Sequence, residues 1–136
     1  HISKAHFESI LKDIFPFAKK YALEIYFINH KIDTLEKGIY KEFNLEQSGE
    51  FSKISTHLAF NQKVGGSSGA TLFFTSKIEA NYSFNTILAG FLAHIISLRA
   101  TILNISSTGI GAYFDDETKK VLKTNNNILY LMAVGK

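Results

Sequence analysis

The segment Gly65–Gly69 is the first stretch of this 136-residue sequence whose residue types could do chemistry. It reads Gly-Gly-Ser-Ser-Gly and matches the G-x-S-x-G pattern of a serine nucleophile elbow. Such an elbow needs a strand before the serine and a helix after it. The neighbouring residues predict a helix before the segment and a strand after it. We therefore interpret the segment as a flexible connector rather than a hydrolase site.

The five histidines could bind a metal or transfer protons, but they are scattered along the chain. They are His1, His6, His30, His57 and His94. None stands at the helical spacing of a metal-ligating pair with a carboxylate nearby, so the sequence predicts no metal site. We interpret His57 and His94 as packing their rings against the edges of the core. His94 lies in the most apolar segment, where a buried imidazole needs a hydrogen-bond partner or a ligand.

Basic residues could bind phosphate groups, and the formal net charge of the chain is +3. Fourteen of the fifteen cationic residues are lysines, the only tandem pairs are Lys19-Lys20 and Lys119-Lys120, and the only arginine is Arg99. The lysines alternate with Asp and Glu, as on a solvated surface. Nucleic-acid binding needs a patch that neutralises several phosphates. The sequence therefore predicts no nucleic-acid partner.

The segment Gly109-Ile110-Gly111-Ala112 contains two closely spaced glycines. Glycines let a ligand approach the backbone closely and expose N–H groups to a phosphate. Phe114 stands where a dinucleotide-binding fingerprint would need its third glycine, so this is not a Rossmann motif. By itself the segment indicates either a tight turn or a backbone site for an anion.

The composition is that of one globular domain over residues 1–136, with 46% apolar and 20% charged residues. A chain of this length can bury a substantial core. It has no cysteine, which excludes disulfides, thiolate metal sites and cysteine nucleophiles. We expect a cytoplasmic protein, because the absence of cysteine is consistent with a reducing compartment. The first residue is His1 rather than Met, so we expect a processed or incomplete chain.

Hydrophobic periodicity and capping residues predict interleaved helices and strands. The predicted helices span residues 3–14, 48–60, 83–104 and 115–122, and the predicted strands span 21–29, 38–43, 70–76, 109–114 and 128–134. Ser3, Ser48 and Asp115 are the expected helix caps. Pro16 is expected to stop the first helix, whose residues Phe7, Ile10, Leu11 and Ile14 form one apolar stripe. The mixed order favours an α+β fold.

The segment 83–104 is the longest predicted helix, and it is apolar around most of its circumference. Its first apolar row is Phe84, Leu88, Phe91, Ile95, Leu98 and Ile102, and its second is Ile87, Leu92, Ile96 and Leu103. Such a helix belongs in a core or an interface. A membrane span needs about 20 apolar residues, and the uncharged stretch ends before Arg99. We expect no membrane association, and the N-terminus lacks the apolar run of a signal peptide.

Several short motifs follow one another in an order that resembles one protein family. They are Leu23-Glu24-Ile25-Tyr26, the stretch 35–40 (LEKGIY), the strand 70–76 (ATLFFTS), the long helix with Gly90, Gly109-Ile110-Gly111-Ala112-Tyr113-Phe114, Asp115-Asp116-Glu117, and the closing strand 129–136 (LYLMAVGK). From Pro16 to Lys136 this succession resembles the FMN-dependent nitroreductases. It is most similar to the branch that contains the dehydrogenases aromatising thiazolines and oxazolines in ribosomal peptides.

The resemblance implies a mixed, mainly antiparallel sheet flanked by helices, with the long apolar helix at a dimer interface. It implies FMN near the backbone of Gly109, Ile110, Gly111 and Ala112, with the phosphate near Lys136 and near Lys19 or Lys20, and with His94 close to the site. Hydride would pass between FMN and NAD(P)H or an organic substrate, either a small molecule or a peptide. The flavin would carry the chemistry, and we assign no side chain as a catalytic acid or base.

Three departures from the family pattern bear on flavin binding. The stretch Phe15-Pro16-Phe17-Ala18-Lys19 replaces the family's P-S-A-G motif, so Phe17 stands where a hydroxyl is expected. His94 and Ile95 replace a polar pair in the long helix. A single arginine leaves little capacity for a bidentate grip on phosphate. We also expect that the chain lacks the family's N-terminal segment, which carries an R-S-x-R-like motif.

Three functions remain open from the sequence. The chain is an FMN oxidoreductase, or a flavin-less scaffold or partner subunit with the same fold, or a small binding domain that resembles the family by chance. The first two functions predict a homodimer or a heterodimer with a flavin-bearing subunit, because the apolar helix would otherwise expose its surface to water.

Overall fold

The fold is one antiparallel sheet with helices on both of its faces. A computed structural model describes residues 1–59, 68–110 and 113–135. Its helices are α1 (Lys4–Leu11), α2 (Ile14–Lys19), α3 (Ser52–Leu58), α4 (Tyr82–Ile102) and α5 (Asp115–Leu122), and its strands are β1 (Leu23–Asn29), β2 (Gly38–Lys41), β3 (Asn44–Ser48), β4 (Ala70–Ser76), β5 (Ser106–Ile110) and β6 (Asn127–Gly135). The strand order is β3-β2-β1-β4-β6-β5, and each neighbouring pair is antiparallel. The expected α+β class is confirmed.

The larger core lies between the sheet and helices α1, α2 and α4. The predicted stripe of the first helix is buried there, since Phe7, Ile10, Leu11 and Ile14 are all nearly inaccessible. Strand β4 is buried along its whole length because both faces of the sheet are covered. Helices α3 and α5 cover the other face, over a second cluster that includes Leu58, Phe73, Leu122 and Leu131.

The first predicted helix is divided in two, and Pro16 does not end it. Helix α1 ends at Leu11, and Asp13 adopts a left-handed conformation with φ 65°. Pro16 lies in the first turn of α2, where its missing N–H would have no intrahelical partner. The interruption between the two helices therefore lies at Asp13. The prediction that Pro16 stops the first helix was wrong.

The predicted helix 48–60 was wrong at its start. Residues Asn44–Ser48 form the edge strand β3, and the helix begins only at Ser52. Ser48 is a strand residue, and Glu50 Oε1 accepts the hydrogen bond from the Ser52 N–H at 2.7 Å. Within this helix Ile54 is exposed, whereas Ser55 is buried.

The observed bounds of the long helix agree closely with the predicted ones. The apolar character of its solvent-facing side is unexpected in a single chain. Helix α4 spans Tyr82–Ile102, with Asn81 accepting a capping bond from the Phe84 N–H at 2.9 Å. By length and composition it could also cross a membrane, and it is the only such helix among residues 1–59, 68–110 and 113–135. Core helices of water-soluble proteins pass the same test, and α4 packs on the sheet along one side.

Two further boundaries differ from the prediction. Strand β5 covers Ser106–Ile110 rather than 109–114, because it pairs with the far end of β6. Asp115 is the first residue of α5 rather than its cap, and the capping position belongs to Phe114. Acidic residues Asp115, Asp116 and Glu117 still favour this helix end, where the helix dipole is positive. The predicted connector Gly65–Gly69 lies mostly outside the described residues.

Candidate functional site

Gly109 lies in the edge strand β5, and its missing side chain leaves room for Tyr130. A Cβ atom placed on Gly109 would collide with the Tyr130 hydroxyl oxygen, which comes from the neighbouring strand β6. The sequence assigns no role to Tyr130 beyond its place in the closing strand. The neighbouring Ile110 turns its side chain into the smaller core cluster. Gly111 and Ala112, the other half of this predicted segment, lie outside the described residues, as does Lys136.

Lys19 and Lys20 lie at the end of α2 and are exposed. Within the described ranges, neither forms an ion pair with a carboxylate. Helix α2 packs on β1, whereas Gly109 belongs to β5, and strands β4 and β6 lie between them. Three strand spacings correspond to about 14 Å. Within the described residues, a single chain therefore does not bring the two lysines into contact with Gly109.

His94 is exposed on α4, so the expectation that its ring packs on the core edge was wrong. His57 is exposed as well, and the ring it contacts belongs to neither core cluster. Its ring stacks on Phe114 with centroids 5.1 Å apart, and its Nε2 atom lies 2.5 Å from Glu117 Oε2. His57 thereby joins α3 to the start of α5. Among the described residues, no group of three His, Cys, Asp or Glu side chains could hold a metal ion.

Arg99 is engaged within the chain. Its Nη1 atom donates to the carbonyl oxygen of Lys12 at 2.6 Å and to that of Ile10 at 3.4 Å. These carbonyls belong to the C-terminal end of α1, which lacks intrahelical partners for its last C=O groups. The only guanidinium of the protein therefore caps α1.

Three aromatic side chains form a surface that extends from α2 to α4. The Phe17 ring lies 5.5 Å from the Tyr21 ring, and Tyr21 lies 5.4 Å from Phe84 at the start of α4. All three are substantially exposed. The surface from α2 to α4 is consequently apolar and aromatic, without a hydroxyl at Phe17.

Two cavities flank α2. The larger, about 510 Å³, is an open groove between the α1–α2 elbow and the β2–β3 turn, and Lys19 is among its lining residues. The smaller, about 180 Å³, lies between α2 and α4 and contains Phe17, Phe91 and Arg99 in its wall. Sites for drug-sized ligands and cofactors usually measure about 300–1,000 Å³. Neither Gly109 nor His94 lines either of these two cavities.

An uninterrupted apolar stripe runs along the solvent side of α4. It contains Phe84, Ile87, Phe91, His94, Leu98 and Ile102, and the exposed fraction reaches 74% at Ile87 and 81% at Ile102. The spacing alternates mostly between three and four residues, as in the contact seam of paired helices. The sequence revealed that the helix is apolar all round, but the division into a core side and a free side depends on the tertiary fold.

Two ionisable groups near these elements have displaced pKa values. Hydrogen bonds from the Ser52 side chain and backbone lower the pKa of Glu50 to about 2, ahead of α3. Burial raises the pKa of Tyr113 to about 12, with Asp115 adding to the effect. Tyr113 follows the predicted glycine segment and donates to the Ile128 carbonyl at 3.4 Å. It therefore stays protonated at neutral pH.

Solved structures define the fold. A nitroreductase-type protein from Anabaena variabilis matches all of this chain with a TM-score of 0.90 at 20% identity, over 34% of its own length. The E. coli microcin synthetase McbBCD complex, with truncated pro-MccB17 bound, contains a chain that matches 99% of this one with a TM-score of 0.77 at 13% identity, over 64% of its own length. An FMN-containing oxidoreductase matches 98% with a TM-score of 0.68 at 17% identity, over 66% of its length.

The chain therefore has the nitroreductase-like fold that the motif order predicted. It spans about a third of the Anabaena protein and just under two thirds of the microcin synthetase chain. No protein-family profile and no curated protein sequence matches it.

Proposed function

We propose that this chain is a subunit of a nitroreductase-type oxidoreductase that works as a homodimer and holds FMN between its two copies. The exposed stripe of α4 carries the proposal. An apolar face of this length is uncommon on a monomer and typical of an interface. The fold supports the oxidoreductase class, since solved neighbours include nitroreductases and an FMN-containing oxidoreductase.

The stripe favours a second copy of this chain as its partner, because it is nearly palindromic. About a point between Leu92 and Ala93, Phe91 matches His94, and Ile87 matches Leu98. The end residues Phe84 and Ile102 match with an offset of one residue. A two-fold symmetric interface requires this property, since each residue must meet its counterpart twice. Two α4 helices packed antiparallel would then place each His94 against the partner's Phe91.

Gly90 supports close packing of the same two helices. It lies beside the stripe at Phe91, and a Cβ atom added there would meet nothing within 4 Å. A small residue at this position lets a partner backbone approach. The stripe contains no Lys, Arg, Asp or Glu, so pairing requires no burial of these charged side chains.

The candidate FMN-binding residues lie far apart in one chain. They would form one site only when a second copy of the chain packs against the first. Lys19 and Lys20 are free to meet a phosphate, with Lys136 as a further candidate. Backbone N–H groups of Gly109 and Ile110 in the edge strand would lie beside the ring, together with His94. Gly111 and Ala112 are further candidates for this role. When bound, the flavin would supply hydride transfer with NAD(P)H or an organic substrate. The protein would orient that substrate in an apolar interface and exclude water.

A flavin-less partner subunit is the second candidate, and two observations favour it. Arg99 is committed to the α1 carbonyls, so no guanidinium is free for a phosphate. Phe17, Tyr21 and Phe84 form an aromatic surface where a flavin-contacting hydroxyl is expected. In that case the stripe would dock on a flavin-bearing protein, and multi-subunit assemblies occur with this fold in the microcin synthetase complex. Both candidates treat residues 1–136 as one cytoplasmic domain.

Absorbance spectroscopy separates the two candidates. The purified chain is scanned from 300 to 550 nm, mixed with FMN, desalted and scanned again. Retained bands near 375 and 450 nm support the oxidoreductase, and NAD(P)H oxidation is then assayed. A colourless dimer after desalting would contradict FMN binding by this chain and leave the partner-subunit function.

A further inference from the structure

We propose that the groove between the α1–α2 elbow and the β2–β3 turn binds an extended peptide that carries a bulky apolar side chain next to a basic residue. The groove has a volume of about 510 Å³, which is large enough for such a side chain and its neighbours. It lies at the opposite end of the sheet from β5, so it is separate from the glycine segment and does not rest on flavin binding.

The groove has an aromatic wall that is already ordered. Phe43, at the β2–β3 turn, is 43% exposed, and its ring meets that of Phe15 edge-on with centroids 5.0 Å apart. It also lies 6.0 Å from Phe27 and 6.4 Å from Phe7, both fully buried. A partly exposed ring held against three others offers an apolar contact without a large loss of side-chain entropy on binding.

The rim carries charges that the described residues leave without ion pairs. Glu8, Asp13 and Glu42 are carboxylates, and Lys12 and Lys19 are ammonium groups. None of these five charged groups forms an ion pair or a hydrogen bond within the described part of the chain. Because carboxylates outnumber ammonium groups, the rim is complementary to a ligand with net positive charge.

The groove opens onto a free strand edge. Asn44 lines it and begins β3, which ends the sheet order and pairs only with β2 among the described strands. An edge strand presents unpaired N–H and C=O groups that can accept an additional strand. Edge pairing combined with a side-chain pocket is a common mode of peptide recognition. This edge favours a peptide over a free small molecule as the occupant.

The test uses the full chain and defined peptides. The probe is the hexapeptide KVFVTK with blocked ends, titrated into the ¹⁵N-labelled protein at 50 mM NaCl. We expect amide shifts confined to the α1–α2 elbow, the β2–β3 turn and β3. The control peptides EVFVTE and KVSVTK should bind at least fivefold more weakly. Shifts centred on α4, equal binding of the control peptides, or no shifts at 2 mM peptide would overturn the proposal.

Two further experiments test the rim and the strand edge separately. The double variant Glu8→Gln/Glu42→Gln should weaken KVFVTK binding about fivefold at 50 mM NaCl, as expected for two exposed ion pairs. The matched control Glu79→Gln, an exposed carboxylate outside the groove, should not. Two versions of the peptide are N-methylated at alternate residues, one at odd and one at even positions. The version whose methylated N–H groups face β3 should lose binding, and the other version should keep it. Equal binding of both methylated peptides, or of the double variant and the wild type, would contradict the proposal.

The outcome is distinguishable from that of the proposed function. Glu8 and Glu42 lie off the α4 stripe and are not candidate flavin ligands, so the double variant should keep the wild-type oligomeric state and flavin absorbance. Lys19 is left unchanged because it lines the groove and is also a candidate phosphate ligand.

Discussion

Glu50 is the residue whose charge most clearly supports a local structure. Hydrogen bonds from Ser52 lower its pKa from 4.5 to about 2 in the folded chain. A carboxyl with a lowered folded pKa stabilises the fold above its unfolded pKa, and this contribution is lost as the pH falls through the folded value. Glu50→Gln should therefore lower the thermal midpoint at pH 6 and have no effect near pH 2. The control Glu79→Gln should show no such convergence, and a pH-independent effect of Glu50→Gln would contradict the assignment.

Gly109 is required by a neighbouring side chain. Gly109→Ala should destabilise the chain by about 1–3 kcal/mol, because the added Cβ would overlap the Tyr130 hydroxyl oxygen. Tyr130→Phe removes that oxygen and should rescue much of the loss. Urea unfolding of the two single variants and the double variant measures the coupling. Additive effects of the two substitutions would show that Tyr130 is not the obstacle.

The same position shows what sequence alone could reveal at the residue scale. The two glycines indicated a tight turn or a backbone site for an anion, whereas Gly109 lies in strand β5 with Tyr130 close beside it. The sequence did not reveal that the approaching group is Tyr130, because their meeting depends on the β5–β6 register. Likewise, the engagement of Arg99 depends on where α1 ends, which in turn depends on the left-handed backbone of Asp13.

At the scale of elements, a polar network holds one end of four strands together. Asn126 Nδ2 donates to Glu24 Oε1 at 2.7 Å and to Thr75 Oγ1 at 3.0 Å, and Lys41 Nζ lies 2.8 Å from Glu24 Oε2. Burial opposes ionisation of Glu24, but the hydrogen bonds from Lys41 and Asn126 together outweigh it and lower its pKa. Glu24 thus remains charged at neutral pH and anchors β1 to β2 and to the start of β6.

Removal of Asn126 tests this network. Asn126→Ala should cost about 2 kcal/mol of unfolding free energy, since it removes a hydrogen bond to a charged group that is largely buried. Asn125→Ala is the matched control, because that side chain is exposed one residue earlier. Denaturant unfolding at pH 7 measures both. Equal losses for the two variants would mean that the network contributes no more than the loop itself.

Elements with a strong apolar pattern were predictable, and polar ones were not. Helix α4 and strands β4 and β6 are long apolar segments, and each was located to within about two residues. Strand β3 (NLEQS) was missed because four of its five side chains are exposed and show no alternation. Strand β3 lies at the sheet edge because it pairs with β2. Ser48 belongs to this strand, so its interpretation as a helix cap was misleading.

At the scale of the whole molecule, the motif order predicted the nitroreductase-like fold. It did not predict which side chains form the exposed surfaces. A single sequence shows that residues 83–104 are apolar all round, but the sheet decides which side stays free. The free side of α4, the aromatic surface at Phe17 and the groove at Phe43 all result from the packing of distant segments. The proposed dimer and its flavin are therefore properties of an assembly.

The measurement that tests the central claim most directly is size-exclusion chromatography with light scattering and absorbance at 450 nm, after FMN loading. We expect a dimer that retains flavin. Ile87→Asp places a charge in the centre of the stripe and should raise the dimer dissociation constant by about 100-fold or more, with loss of flavin in parallel. Ile78→Asp, at an exposed isoleucine outside α4, should change neither property. A wild-type monomer, or flavin retained by an Ile87→Asp monomer, would contradict a cofactor site shared between two copies.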